Sequence, residues 1–390
     1  MLSRDSGGET MMRKSSEHRT GFIEGVRLPR GDHEDHRGIH LNLGGRRTVA
    51  TRLITCGAIS LCAVCIPARG LPLQRATEAP DKDAAQIAFA SRRDGNWEIY
   101  VMDSAGRSQR LTHQDAQDRF PLWSPDRARI AFGSQAGGHW ELRVMDSNGT
   151  RQQRLHSHIV AKSARGWCRA NNRIVFAADA GGNIDIYTVD VGSMAVTRLT
   201  STAGEDRDPS WSPDCQYLAF SSSRDGNAEI YLMRADGSDV RRLTTDAASD
   251  ASPTWAPDHS FIAFVSDRNK AQDLYLIRPN GEGLQRLTVG AAPTRDTAQW
   301  SPDGSRIAFQ MARGKNYDIG VVRLSDRRRT DLANSPAYDG MFTWSPDGAQ
   351  VAFVSSRDGF ESMYRVDADG RHVVRLTETP SLNPAWAPER

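Results

Sequence analysis

Short apolar runs, separated by turn residues, recur along the chain from about residue 86 onward. One type of run is RIAF, YLAF, FIAF or QVAF, and a second type, such as EIYLM or DLYLI, follows it. Pro-Asp, Asp-Gly and Asn-Gly pairs stand between the runs, and such pairs form the tight turns of β-hairpins. Many runs are apolar at consecutive positions, as in strands that are buried on both faces. The pattern predicts an all-β fold of short antiparallel strands.

The predicted strands recur with a period of about 44 residues, which tryptophan marks. The gaps between successive marker residues are 44, 44, 44, 45, 44 and 42 residues. The markers are Trp123, Trp167, Trp211, Trp255, Trp300, Trp344 and Trp386. All but Trp167 begin the sequence Trp-Ser-Pro-Asp or a close variant. Four antiparallel strands in each period of this length are typical of one blade of a β-propeller.

The strand sets predict seven blades. The first set, in residues 86–112, has no Trp strand before it, and the last Trp strand, in residues 381–388, has no set after it. Together they complete one blade, so we predict a seven-bladed β-propeller of four-stranded antiparallel blades, closed by a 3+1 clasp. Closure leaves no open sheet ends that could pair with other chains. We number the repeats one to seven along the chain and assign the C-terminal Trp strand to repeat one.

The N-terminal part of the chain is predicted to direct export. Its apolar run at 53–66 has 14 residues, whereas a membrane-spanning helix needs about 20. Arginines precede the run and Ala-Arg-Gly at 68–70 follows it, as around the cleavage site of a secretory signal peptide. The alternative is a buried helix of the domain. We therefore expect a periplasmic or secreted protein, with a polar leader that is disordered or not translated (1–48), a signal peptide (49–70), a linker (71–85) and the propeller (86–390).

Cysteine usage and charge narrow the classes of function. Three cysteines lie in the predicted signal peptide, and Cys168 and Cys215 remain. Because these two stand at different points of successive repeats, a disulfide is possible in an oxidising compartment but is not the favoured expectation. The net charge of +2 gives no basic surface for nucleic acid. The sequence contains no Gly-x-Ser-x-Gly nucleophile motif and no phosphate-binding glycine loop after a strand, so we expect a monomer without a cofactor.

The repeat resembles that of a known family. SRDGNAEIYLMRADGSDVRRLT begins at Ser223, and SRDGFESMYRVDADGRHVVRLT begins at Ser356. With the WSPDG sequences, these phrases resemble the WD-like repeats of the TolB-type propeller family over residues 86–388. The resemblance implies a periplasmic propeller that binds partner proteins of the envelope and is not an enzyme. The chain departs from the family in its predicted seven blades, where TolB has six, and in the short segment before the first blade.

Charged residues recur at one end of the repeats. Four aspartates stand five residues before their tryptophans, and four arginines stand in or near the Arg-Asp-Gly hairpins. These residues are Asp118, Asp206, Asp250, Asp339, Arg93, Arg224, Arg268 and Arg357. Acid and base in neighbouring loops predict salt bridges, and they also predict a charged rim that receives a partner chain. Arg119 and Arg207, which each follow an aspartate, and Lys162, which stands five residues before Trp167, are further candidates for this rim.

Histidines of the same loops suggest an alternative function. His113, His139, His156 and His158 belong to adjoining loops of the early repeats. Histidines from separate loops could bind a divalent metal. Oligogalacturonate lyases, which are propellers that cleave acidic oligosaccharides, use histidine in this way. We therefore expect a non-catalytic protein-binding scaffold of the cell envelope, with a metal-dependent carbohydrate-active enzyme or a sugar-binding propeller as the alternatives.

Overall fold

The hydrophobic pattern folds into β-strands joined by tight turns. The computed structural model describes residues 85–160, 164, 166–179, 181–294, 298–333 and 335–389. These residues belong to the compact unit Pro72–Arg390, and they form 28 strands and no helix. The described residues therefore include no helix that is long and apolar enough to cross a membrane. The predicted leader, signal peptide and linker, which end at residue 85, lie almost wholly outside the described residues, so their assignment stays a prediction.

The strands follow the predicted repeats. Repeat one contains β1 (Ile87–Ser91), β2 (Glu98–Met102) and β3 (Ser108–Arg110), and repeat two contains β4 (Gln117–Trp123), β5 (Arg129–Ala136), β6 (His139–Asp146) and β7 (Gln153–Ile159). Repeat three contains β8 (Gly166–Trp167), β9 (Arg173–Asp179), β10 (Ile184–Asp190) and β11 (Val196–Arg198). Repeat four contains β12 (Asp206–Trp211), β13 (Tyr217–Ser222), β14 (Glu229–Arg234) and β15 (Arg241–Arg242).

The later repeats continue the series. Repeat five contains β16 (Asp250–Trp255), β17 (Ile262–Ser266), β18 (Asp273–Ile277) and β19 (Gln285–Arg286). Repeat six contains β20 (Gln299–Trp300), β21 (Arg306–Arg313), β22 (Asn316–Arg323) and β23 (Arg329–Ala333). Repeat seven contains β24 (Asp339–Trp344), β25 (Gln350–Ser355), β26 (Ser362–Asp367) and β27 (Val374–Arg375), and β28 (Ser381–Trp386) ends the series.

Most repeats form separate four-stranded antiparallel sheets. Repeats four to seven each give one sheet in chain order, and a further sheet has the order β28-β1-β2-β3. In that sheet the last strand lies beside the first, with Trp386 opposite Ile87 and Ser381 opposite Ser91. The all-β prediction is therefore confirmed, together with four-stranded antiparallel sheets.

Repeats two and three differ from the prediction because they share one eight-stranded sheet. The end of β7 pairs with β9, where Ile159 lies opposite Ala178 and the Val160 amide donates to the Ala177 carbonyl at 2.9 Å. Ser222 of repeat four corresponds to Ala178 of repeat three, and the residue that pairs with Ser222 is Asp206. We call the strand that ends at the marker tryptophan the inner strand of its repeat. The inner strand of repeat three is correspondingly short, since β8 contains only Gly166–Trp167. An apolar strand end thus takes the place of the repeated aspartate and joins the two sheets.

Aromatic residues form the core between and within the sheets. The second strand of every repeat carries a fully buried phenylalanine: Phe89, Phe132, Phe176, Phe220, Phe264, Phe309 and Phe353. The indole Nε1 of Trp123, Trp300 and Trp344 donates to a carbonyl of a neighbouring inner strand at 3.1 Å. A buried aromatic side chain removes about 150–250 Å² from water, so these residues hold neighbouring sheets together.

A disulfide joins repeats three and four. The Cα atoms of Cys168 and Cys215 are 5.9 Å apart, and their sulfurs are bonded. The sequence left this disulfide possible without favouring it, and the structure contains it. Cys168 directly follows Trp167 at the end of β8, whereas Cys215 lies in the turn between β12 and β13, and packing of the two repeats brings these different repeat positions together. Disulfides persist in oxidising compartments, so this bond fits the predicted export.

Candidate functional site

The repeated acidic and basic residues at the hairpin ends form ion pairs within the sheets. The nitrogen–oxygen distances are 3.0 Å for Arg224–Asp206, 2.7 Å for Arg268–Asp250 and 3.1 Å for Arg357–Asp339. The aspartates are fully buried, and each arginine Nε also donates to a serine hydroxyl of the second strand. Each guanidinium lies 4.8 Å from the centroid of a tyrosine ring. The predicted salt bridges are confirmed in repeats four, five and seven, and they brace the strands.

A second polar network recurs that sequence analysis missed. In repeat four, Arg242 and the Thr244 hydroxyl both donate to the buried carboxylate of Glu229, at 2.6 Å and 2.5 Å. The same hydroxyl accepts a hydrogen bond from the Ile230 amide at 2.9 Å. Repeats one, three and five contain the same arrangement with their own residues. The signal was the Arg-Leu-Thr sequence, whose arginine stands 12 or 13 residues after an acidic residue, and its role is structural.

Repeat one lacks the aspartate of the rim. Its arginine, Arg93, donates to the hydroxyls of Ser91 and Ser108 at 3.2 Å and 3.0 Å and lies 4.5 Å from the Tyr100 ring centroid. The inner strand of this sheet is β28, which has Ser381 five residues before its tryptophan. Arg93 therefore keeps the stacking of the other repeats without their buried ion pair.

Repeat two has the aspartate and lacks the arginine. Ala136, Gly137 and Gly138 occupy the hairpin where repeats one, four and seven have Arg-Asp-Gly. Neither carboxylate oxygen of Asp118, which is fully buried, makes a hydrogen bond with the described residues. Burial raises the pKa of Asp118 to about 6, although the nearby hydroxyls of Ser134 and Thr112 oppose the rise. Among the described residues Asp118 forms no ion pair, and the charge of Arg143 only partly opposes the rise in its pKa.

Two arginines lie close to one indole at the contact between repeats one and two. Arg92 and Arg119 lie 5.6 Å and 4.7 Å from the Trp97 ring centroid, and the Asp118 amide donates to the Trp97 carbonyl at 2.8 Å. Burial and the nearby charge of Arg92 lower the pKa of Arg119, and the Arg119 Nε has no hydrogen-bond partner among the described residues. We call Arg92, Trp97 and Arg119 the Trp97 cluster.

Two other candidates for the rim have different surroundings. Arg207 donates to Glu205 at 2.8 Å, and both side chains are exposed at the surface. Lys162 lies outside the described residues. Whether the rim binds a partner stays a prediction for the whole set.

The inner strands contain a series of β-bulges that sequence analysis missed. In β4, β12, β16, β24 and β28 the pairing register shifts near the residue two positions after the aspartate position. That residue has a φ between 47° and 58° in each strand: Phe120, Asp208, Ser252, Met341 and Asn383. Neighbouring members touch, since Ser252 Oγ donates to Asp208 Oδ2 at 3.3 Å and Asn383 Nδ2 lies 3.5 Å from Met341 Sδ. Their types vary, so only their fixed spacing after the aspartate could have identified them.

The four histidines of the metal alternative lie in different surroundings. His139 and His158 stack with ring centroids 4.3 Å apart, whereas His156 packs against Phe176 at 5.2 Å. Burial and the charge of His158 lower the pKa of His156, and His113 is exposed. Across the part of the chain that the structure describes, no group of three or more histidine, cysteine or acidic residues is arranged to hold a metal ion.

Comparison with known proteins supports a β-propeller. Residues 204–297 and 291–390 match the TolB beta propeller domain family, while the search of curated proteins finds no match. Similar solved structures include TolB from Acinetobacter baumannii, with 19% identity over 78% of this chain and 67% of TolB and a TM-score of 0.52. An oligogalacturonate lyase in complex with manganese has 18% identity over 72% of this chain and 85% of the lyase, with a TM-score of 0.57. A puromycin-hydrolyzing peptidase of Mycobacterium tuberculosis has 17% identity over 75% of this chain and 54% of the peptidase, with a TM-score of 0.56. At these identities the likeness shows the fold, and the chain spans about half of the peptidase.

Proposed function

We propose that this chain, whose residues 204–390 belong to the TolB β-propeller domain family, is a non-catalytic scaffold that binds a protein of the cell envelope. The Trp97 cluster is the observation that carries the proposal. Arginine is enriched among the residues that contribute most to protein–protein binding. Trp97 is buried in the core, so it supports the two guanidinium groups and does not itself meet a partner. Arg119 is half-buried and directly precedes the bulge residue Phe120, and Arg92 beside it is exposed, so this pair is partly accessible to a partner.

The charge of the Trp97 cluster indicates the chemistry of the partner. Two guanidinium groups lie near one indole, and no carboxylate of the described residues forms an ion pair with Arg119, whose pKa is lowered by burial and by the charge of Arg92. A carboxylate from a partner can accept hydrogen bonds from Arg119 and offset the repulsion between the two arginines. The proposed partner therefore presents an acidic segment to this end of the repeats.

Replacing Arg92 and Arg119 together with glutamine tests this surface. We expect capture of the partner from an envelope extract to weaken at least tenfold, because two charges that meet the acidic segment are lost. The melting temperature should change little, since the substitution removes two like charges that repel each other. Quantitative affinity capture and surface binding at two salt concentrations measure the effect.

Arg207→Gln is the matched control for Arg119. Arg207 also follows an aspartate, but its guanidinium already pairs with Glu205. The Arg207→Gln variant should leave capture within twofold of the parent protein, as should joint replacement of His113, His139 and His156. Normal capture by the Arg92/Arg119 variant would contradict the proposal. Loss of capture only in the histidine variant, together with loss of bound metal, would favour the enzyme instead.

We further propose that the sheets close into a ring of seven blades. The pairing of β28 with β1 supports this arrangement, because it brings the two ends of the repeat series into one sheet. The Trp123 Nε1 also donates to the Ala385 carbonyl at 3.1 Å, so β28 contacts repeat two as well as repeat one. A ring gives the binding surface a fixed geometry, and it removes the two open ends that a linear series of sheets would have.

Export is the third part of the proposal. The apolar run at 53–66 and the disulfide between Cys168 and Cys215 both favour an oxidising compartment. Protein recovered from the periplasm or the medium should begin near Leu71, and both cysteines should resist alkylation until a reductant is added. Intact mass spectrometry with and without reduction measures both properties. A cytosolic protein that retains residues 53–66 and has two free thiols would contradict export.

The alternatives receive less support. The separate environments of His139, His156 and His113 do not favour a metal-dependent lyase. The sugar-binding propeller stays a prediction that a glycan array would test.

A further inference from the structure

Repeat six carries a concentration of arginines that its neighbours lack. Repeats two, four, five and seven turn between their third and fourth strands with an Asn-Gly or Asp-Gly pair. Repeat six instead has Ser-Asp-Arg-Arg-Arg-Thr at 325–330, between β22 and β23. The turn is exposed, and Arg327 has a φ of 56°. Arg329 is the first residue of β23, and all three arginines are exposed, so burial in the core does not account for them.

Two of these arginines help to form a pocket between repeats six and seven. The pocket has a volume of about 260 Å³ and opens beside the turn between β26 and β27. Its lining includes four guanidinium side chains and one carboxylate, from Arg306, Arg323, Arg328, Arg329 and Asp369. Val321, Thr330 and Ala368 complete the wall.

The deepest of the four arginines is held in place. Arg306 Nη2 donates to the Gly348 carbonyl at 3.1 Å, and its guanidinium lies 5.3 Å from the Trp344 ring centroid. These contacts join repeats six and seven, so the positive charge does not depend on the turn for its position. A guanidinium group that is already oriented loses less conformational entropy when it binds an anion.

The turn arginines retain donors for a ligand. Arg323 pairs with Asp326 at 3.3 Å, and Arg329 pairs with Asp331 at 3.0 Å through one nitrogen. The Arg328 side chain makes no hydrogen bond or ion pair with the described residues. The carboxylate of the lining, Asp369, has its own cationic neighbour in Arg371, at 3.6 Å. Positive charge therefore exceeds negative charge around the pocket.

We propose that this pocket binds the phosphate group of an anionic ligand. Guanidinium groups donate pairs of parallel hydrogen bonds to phosphate oxygens, and several groups that approach from different sides suit a tetrahedral anion better than a planar one. A volume of about 260 Å³ accommodates one phosphate and a small attached group. The site lies in repeats six and seven, whereas the Trp97 cluster belongs to repeats one and two, so the two proposals stand independently.

Arg328→Ala tests the pocket in the full mature chain. We expect inorganic phosphate and glycerol phosphate to bind saturably at low salt, and the variant to weaken both at least tenfold. Arg327→Ala is the matched control, because it lies in the same turn and loses the same charge, but its Nη2 donates to Gln285 at 3.0 Å instead of lining the pocket. The control should stay within twofold of the parent protein. Isothermal titration calorimetry and ³¹P NMR line broadening measure binding, and thermal melting verifies that both variants fold.

The source of the phosphate is a further arm of the experiment. Vesicles of phosphatidylglycerol, compared with vesicles of phosphatidylcholine, test a lipid headgroup, and the two free phosphates test a soluble ligand. Arg328-dependent binding of either source supports the site. Phosphate binding that never saturates, or equal weakening by Arg327→Ala and Arg328→Ala, would overturn the proposal, since a general surface charge would then account for it.

Discussion

Asp206→Asn is expected to lower the free energy of unfolding, whereas the same substitution at Asp118 is expected to raise it. Both aspartates occupy the same repeat position and are fully buried. Asp206 accepts two hydrogen bonds from Arg224, so the loss of its charge leaves a largely buried guanidinium unpaired. Removal of one partner of a buried ion pair costs about 3–5 kcal/mol. The melting temperature of Asp206→Asn should fall by several degrees.

Asp118 behaves in the opposite way because its hairpin has Ala136 at the position of the arginine that pairs with Asp206. Its pKa is raised to about 6, above the value of the unfolded chain, so the fold favours the protonated form. The stability that this group contributes is complete below about pH 4 and is lost as the pH rises through about 6. A rise of about two pKa units corresponds to about 3 kcal/mol at neutral pH. Asparagine, which is neutral and of similar shape, avoids that cost.

Urea unfolding of the parent protein and both variants at several pH values measures the contrast. The advantage of Asp118→Asn should be largest at pH 7.5 and should shrink as the pH falls towards 4.5. The deficit of Asp206→Asn should be present at pH 7.5. Destabilisation by both variants at pH 7.5 would show that Asp118 is paired in solution and that the rim of repeat two has a cation after all.

The sequence predicts the repeating part of the fold well, because each strand is bounded by its own turn residues. Trp123 and its counterparts give the period, and the Asp206–Arg224 pair follows from two residues that recur together. The departures depend on packing between repeats, which a period cannot reveal. The contact between Cys168 and Cys215 is of this kind, and so is the pairing of Ile159 with Ala178.

The candidate site was harder to predict than the fold. The motif identified Asp118 as one more member of a series, and only the structure shows that its oxygens are unpaired. Trp97 stands where repeat four has Ala228, and this single difference gave no sign that two arginines would surround it. Residues that break the repeat have surroundings that cannot be inferred from the other repeats.

Deletion of residues 381–390 is expected to abolish cooperative unfolding of the propeller. The deletion removes β28 and exposes the edge of β1. The deletion takes away Trp386, which is partly buried against the core, and loss of a fully buried tryptophan costs about 3–5 kcal/mol, so this loss is somewhat smaller. It also removes Leu382 from the core and the carbonyl that accepts from Trp123 Nε1. These losses together are comparable to the whole stability of a typical domain, about 5–15 kcal/mol. The truncated chain should be insoluble or lack a thermal transition.

A circular permutant separates loss of the strand from loss of the chain end. The Ala387 amide donates to the Gln86 carbonyl at 2.8 Å, so residues 381–389 can be moved in front of Ala85 and joined by one glycine. The joint then places Trp386 seven positions before Ile87, the spacing between Trp300 and Ile307 in repeat six. The permutant should melt close to the parent protein, because repeat one then has all four strands in chain order. An unchanged melting temperature in the deletion variant would overturn the closed ring. If neither the deletion variant nor the permutant folds, the fold requires the original order of the strands along the chain, and the presence of β28 alone is not sufficient.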